Sequence, residues 1–566
     1  MRRVVVAILV VLGAVVLAAI VITGIGFKYA YEPSQTNVLS RTRPSPELYD
    51  VWGHSQSGAV KIDNALLRLG RKAFYKETFC NELFLTDVLG VLNGPLRVWN
   101  VTEAVLALKG QGTTNLRVRV PETVTIGGRT FQRNSYFDTG LDVPRGAIVP
   151  LGMAISVSRW KIRIGITCAL CHATVDPKTK KVIEGAPNQD LNAGLLLALG
   201  SNSAAYFMHT DVDPKTIPQD SHRTITSSTG QKQALPDITD LENAVDSALL
   251  MWPRGNFDSL TDLKGDPTQI PVSFTWGNHP YGWSGNFMAG PFHGLSAQNN
   301  NVHALNSHSL LLADNAPTLF DMDKELFLAT ILQNAASGKY RFDASEGQQP
   351  SRFLSDVKPS SASPGLNEVV LPPTYPKGTL LSPDGTLTSS SGYPFSQQNN
   401  AMAAWQNTIV PPSEPVTADT TTKRLGREVF ERAGCTRCHC GPFLTNHRVV
   451  PASELGVNDF RTKALEKTEK NFAPPVLFTF DTPVPLPRRP RLLPVPTDDL
   501  DPSQIDLAWA HHGSAGGYKV PALLGLYWSA PYLHDGGVAV GSNADSELGL
   551  PGTVEKNFAP DPANSL

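Results

Sequence analysis

The 566-residue chain lacks a dominant charge: 49 lysines and arginines face 51 aspartates and glutamates, a formal net charge of −2. Basic runs are absent beyond the first residues and one short Pro-Arg stretch at 487–493. Nucleic acid is therefore not an expected partner. Methionine is missing altogether after Met402, and cysteine is scarce, with six residues in all. Each cysteine then needs an explanation. Apolar content is adequate, at 41% hydrophobic and 8% aromatic residues, so the chain should be globular and not disordered. It is also too long for one ordinary core, and two or three domains are expected.

Long uncharged runs are confined to the N-terminus. After Arg2 and Arg3, Val4 to Phe27 carries no charge for 24 residues, which as a helix spans about 36 Å, enough to cross a bilayer. The expectation is a transmembrane signal anchor over 1–29, with the arginines inside and the remainder on the extracytoplasmic, periplasmic face. The alternative is a cleaved signal peptide that releases the chain to the periplasm.

Four of the six cysteines fall into two copies of one pattern, "CALCH" at 168–172 and "CTRCH" at 435–439. C-x-x-C-H is the form of a c-type haem attachment site. Two thiols at this spacing reach the two vinyl groups on one porphyrin edge, and the adjacent histidine supplies the proximal iron ligand. Cys168, Cys171, Cys435 and Cys438 are thus the expected haem anchors, with His172 and His439 on the irons. A zinc ribbon would want a second ligand pair nearby, and a redox dithiol would not need the histidine. The expected cofactors are two covalently attached haem c groups. Cys80 and Cys440 remain, either as a disulfide between the two halves or as two separate thiols.

The halves also share a faint repeat. "LLRLGRKAF" at 66–74 matches "TKRLGREVF" at 422–430, each with an apolar stripe at helical spacing. Cys435 follows Phe430 by five residues, whereas Cys168 follows Phe74 by 94. The expected fold is therefore mainly α, with two cytochrome c-type haem domains carrying long loop insertions. The expected boundaries are a juxtamembrane linker at 30–58 and an N-terminal haem domain at 59–342 with an insertion at 75–167. A Ser/Thr/Pro-rich linker at 343–420, a C-terminal cytochrome c domain at 421–545 and a polar tail at 546–566 follow. Residues 116–133, with alternation and a Gly-Gly turn, are expected as one small β hairpin. Helices are expected near 189–207 and 237–251.

"GREVFERAGCTRCH" (426–439) and "GGYKVPALLGLYWSAPYLHDGG" (516–537), together with the two pentads, resemble the di-haem cytochrome c peroxidase superfamily. That superfamily includes the methylamine dehydrogenase maturation enzyme and the bacterial rubber oxygenases. "MWPRGNFDSL" (251–260) and "PVSFTW" (271–276) are weaker similarities to the rubber-oxygenase branch. The resemblance covers most of 59–545 in outline and is dense only around the motifs. It implies two mostly helical haem domains packed face to face, with electrons passing between the irons. In the family's ordinary peroxidases a methionine is the second ligand of the C-terminal haem. None exists here after Met402, which leaves His447, His511, His512 and His534. The resemblance to the rubber-oxygenase branch places His534 on that iron, with His511 and His512 as alternatives; in the maturation enzyme a tyrosine serves instead.

For the first haem, Trp276 and Trp283 are the candidate catalytic or inter-haem residues. His209, His279, His293, His303, His308, Met208, Met251 and Met288 are all candidates for its distal side. The expected function is an oxidoreductase in which peroxide or dioxygen reacts at the N-terminal haem and electrons come from a redox partner protein. The alternative is a non-catalytic carrier feeding a membrane chain.

Overall fold

The computed structural model describes residues 27–42, 62–79, 81–158, 161–260, 262–274, 309–357, 401–413, 419–457, 459–467, 501–529 and 532–534. It adds short pieces at 367–369, 388–390, 395–400, 476–478 and 491–494, with the single residues Glu469 and Arg489. Helix makes up 38% and strand 18%, and among the described residues the strands form ten small sheets. The expectation of a mainly α fold is thus corrected to a mixture of short helices and short antiparallel pairs.

Of the transmembrane helix in that expected fold only the last residues, 27–29, are described, and there the expectation is corrected to a strand. Among the described residues no helix is long and apolar enough to cross a membrane. Residues 1–26 lie outside the described residues. The end of the expected span is strand β1, Phe27–Ala30, paired antiparallel with β2 (Met153–Ser158), which pairs with β3 (Lys161–Ile166). Tyr29 sits opposite Ile155, and Ile155 opposite Ile164. Lys28 reaches inward to Glu82 at 3.2 Å. A buried partner for its charge, together with strand hydrogen bonds, places this stretch in the globular body.

Helix α1, Asn64–Lys76, begins at Asp63, whose carboxylate accepts from the amides of Ala65 and Leu66. It buries Leu66, Gly70, Ala73, Phe74 and Tyr75. The 75–167 insertion is not a loose loop. It contributes a buried π-helical turn at Leu83–Val88, a helix at Val98–Ala107 and two nested strand pairs. The inner pair, Val124–Ile126 with Arg129–Phe131, turns at Gly127 and Gly128, both at positive φ. Phe84, Val118 and Phe137 from the insertion share one core with Tyr206, Phe207 and Phe327. The expected helical stretches settle as Ala193–Ala198, a 3-10 turn at Ser203–His209, and Ile238–Leu249.

Part of the 343–420 segment folds back onto the first unit. Helix α2, Phe395–Gln406, buries Met402 and Trp405 and lies across α1. Ile409–Val410 then pairs with Arg41–Thr42. The second unit opens with α3, Thr420–Arg432, capped by Asp419 through the Thr422 amide. It continues with β4 (Val449–Pro451) paired to β5 (Gly517–Lys519). The helices Phe460–Glu466 and Pro502–Trp509 pack together behind this pair.

Candidate haem sites

Strand β3 delivers the first pentad. Gly152, at φ 75°, lets the chain pass directly under Leu170, where a methyl would strike the Leu170 backbone. Cys168 then opens one helical turn, Ala169–His172, closed by the His172 amide donating to the Cys168 carbonyl at 3.0 Å. The His172 Nδ1 lies 3.0 Å from the Pro271 carbonyl. A carbonyl only accepts, so Nδ1 carries the proton and Nε2 keeps its lone pair for a metal. Burial holds the His172 imidazole down to about 4 and pushes the Cys168 and Cys171 thiols up to about 12.

The second pentad repeats this arrangement on unrelated surroundings. Gly434, at φ 78°, turns the chain out of α3 into a 3-10 turn at Cys435–Arg437. The His439 amide donates to the Cys435 carbonyl at 2.9 Å, and its Nδ1 lies 3.0 Å from the Leu444 carbonyl. Both imidazoles are therefore tied by Nδ1 to a backbone carbonyl and present Nε2. Pro271 and Leu444 were not legible as partners, because a backbone acceptor has no residue signature.

The environments differ. Around the first pentad lies an apolar cluster of Phe74, Tyr75, Phe274, Trp405 and Trp528, with Cys168 packed against it. The Cys168 Sγ is 3.9 Å from the Met402 Sδ. All four pentad cysteines are partly covered, but the helix leading to Cys435 and Cys438 buries none of its residues. Trp528 comes from the second unit and carries the junction: the Gln189 side chain donates to its carbonyl at 3.3 Å. Further bonds join the units: the Gln269 amide to the His534 carbonyl at 2.8 Å, the Gln269 side chain to the Ser529 carbonyl at 2.5 Å, the Lys467 amine to the Asp262 carbonyl at 3.1 Å and the Arg461 guanidinium to the Thr268 hydroxyl at 3.3 Å.

Several expected residues have other surroundings. The His534 ring stacks on Tyr518 of β5 with centroids 4.2 Å apart, at this junction. His511 is buried beside Trp509, and His512 is exposed with Nδ1 2.7 Å from Asp506. Burial and the nearby Lys519 push the His447 imidazole down to about 4. Met208 and His209 are fully buried, His209 stacked on Tyr206, while Met251 is exposed. Trp276, Trp283, His279, His293, His303, His308 and Met288 lie outside the described residues, as does Cys80. Cys440 is exposed with a free thiol. Among the described tryptophans, Trp405 and Trp528 stand in the cluster around the first pentad and were missed; Trp528 stands inside the quoted 516–537 motif.

Among the described residues no three His, Cys, Asp or Glu side chains converge to hold a bare metal ion. The donor set fits covalent haem instead: two thiols and one oriented imidazole per turn. Comparison of the chain with protein-family models, curated proteins and solved structures finds no match. The resemblance stated above therefore stands on its motifs alone.

Proposed function

We propose that the protein is an extracytoplasmic di-haem c-type cytochrome acting as an oxidoreductase, with electron transfer between two covalent haems and a peroxidase- or oxygenase-like reaction at the first. The observation that carries this reading is the paired closure of the two pentads, with His172 and His439 both anchored through Nδ1 at 3.0 Å. Haem, when bound, supplies an iron that changes oxidation state at each site. Cys168, Cys171, Cys435 and Cys438 hold it through thioethers. Pro271 and Leu444 fix the tautomer and ring plane of the two histidines. Phe74, Tyr75, Trp405, Phe274 and Trp528 form an apolar wall beside Cys168 at the first site, which favours chemistry on a small oxidant there. The exposed helix leading into the second site favours exchange with an outside redox partner.

Intact-mass analysis of protein matured in an oxidising compartment tests the reading. Two haems are expected to survive acid-acetone extraction. Cys168→Ser with Cys171→Ser, and Cys435→Ser with Cys438→Ser, are each expected to remove one. A mass with no added haem overturns the proposal. Cyanide is expected to bind one haem of two in the oxidised protein. Two low-spin haems that ignore it would favour the electron carrier.

A further inference from the structure

Helices α1 and α3 align residue for residue: Leu69 with Leu425, Gly70 with Gly426, Ala73 with Val429, Phe74 with Phe430, Arg71 with Arg427 and Lys76 with Arg432. In the first unit this face is fully occupied. Helix α2 presses on Gly70, where a methyl would strike the Ala401 carbonyl and come within 2.9 Å of the Trp405 Cβ. Carboxylates meet the cations: Arg71 reaches Glu184 at 2.7 Å and Glu32 at 3.3 Å, and Lys76 reaches Glu32 at 2.7 Å.

In the second unit no described residue does either job. A methyl on Gly426 would meet nothing within 4 Å. Leu425 and Val429 are 48% and 51% exposed. Among the described residues neither Arg427 nor Arg432 has an ion-pair partner; on this helix only Arg424 does, with Glu428. Two copies of one helix thus carry the same apolar and cationic pattern, and among the described residues only one copy has its complement.

We propose that the open face of α3 is the docking site of an acidic redox protein that exchanges electrons with the second haem; this rests on the di-haem reading. The first unit shows what the face accepts: a small-residue surface at the glycine and carboxylates opposite the two cations. Residues 420–439 hold five lysines and arginines against two glutamates in a chain of net charge −2, so the attraction is local and favours an anionic partner. An apolar centre within a charged rim is the usual anatomy of such interfaces. The helix runs straight into Cys435–His439, so a partner seated on it lies beside the half-covered second site. With haem held by Cys435 and Cys438, one electron would pass to it from the reduced partner, which would be oxidised; no bond would form or break.

The test uses the full chain carrying both haems. A small acidic c-type cytochrome and a basic one of matched potential are the probes. Association is followed by sedimentation velocity and reduction by stopped flow, across ionic strength. The acidic probe is expected to bind, with an association rate that falls steeply as salt rises. Arg427→Glu with Arg432→Glu should weaken binding at least ~tenfold, whereas Arg133→Glu on the first-unit hairpin should not. Gly426→Leu should weaken binding without lowering Tm, since the new side chain has open space.

Equal binding of both probes, or unchanged binding by these variants, overturns the proposal. So does a dimer that Val429→Asp abolishes, which would make a second copy the occupant. A Leu425→Cys thiol that resists bulky maleimides in the isolated monomer also overturns it, because the chain would then cover its own face. Loss of the di-haem reading is separable: a mass without haem abolishes reduction by either probe, while sedimentation still reports binding.

Discussion

Gly70→Ala is expected to cost the folded protein about 3 kcal/mol, while Gly426→Ala, at the matching position of the second unit, is expected to stabilise it by about 0.5–1 kcal/mol. The two substitutions add the same methyl to the same turn of two related helices. At Gly70 the methyl is directed into the Ala401 carbonyl, a backbone atom that cannot rotate away, so α1 and α2 must separate. Separation then loosens Phe74 and Trp405, whose rings lie 4.8 Å apart beside the first pentad. At Gly426 nothing stands within 4 Å, and only the gain in helix propensity remains. Urea unfolding of each variant, read by tryptophan fluorescence for the first unit, measures both. A Gly70→Ala midpoint equal to wild type would remove the packing of α2 on α1, and with it the template for what α3 binds.

The parts of this structure that sequence made legible are those whose signal is local. The pentads declare themselves because two thiols and an imidazole at fixed spacing within five residues are a local pattern. The helices around 66–74 and 422–430 declare themselves by their apolar stripes, and the structure extends them to 64–76 and 420–432. What sequence hid is non-local. Phe27, the first residue of β1, is the last of a 24-residue uncharged run, and hydropathy alone reads it as membrane span. The pairing of β1 with 153–158 joins residues more than a hundred positions apart, which no local pattern encodes. Helix α2 reads "FSQQNNAMAAWQ", with no stripe to mark it, because Ala401 to Gln406 are buried on every side. Its Gln- and Asn-rich start has the composition of a linker. The same limit applies to the sites: the sequence supplies His172 and His439, and only the fold supplies the carbonyls of Pro271 and Leu444 that orient them.

Lys28→Met is expected to cost about 3–5 kcal/mol at neutral pH, the range for leaving one partner of a buried ion pair behind. Glu82 is fully buried, and its carboxylate has the Lys28 amine at 3.2 Å, the Thr78 hydroxyl at 2.7 Å and the Ser156 hydroxyl at 3.2 Å. Burial by itself would raise its pKa. The Lys28 charge and the Thr78 hydrogen bond outweigh burial and hold it below its ordinary 4.5. A carboxyl depressed in the folded state contributes stability that is present above 4.5 and is lost as pH falls through the lower folded value. Without Lys28, burial dominates and the sign reverses: the folded state then favours protonated Glu82, and its penalty grows as pH rises. The gap between wild type and Lys28→Met should therefore be widest near pH 7 and close on acidification below about 4. Lys28→Arg should keep most of the stability, and Lys28→Met with Glu82→Gln should recover part of it, because the stranded charge is gone. Urea midpoints at both pH values decide the matter. A gap that does not change with pH would mean that Lys28 stabilises β1 by packing and that Glu82 is neutralised by other groups.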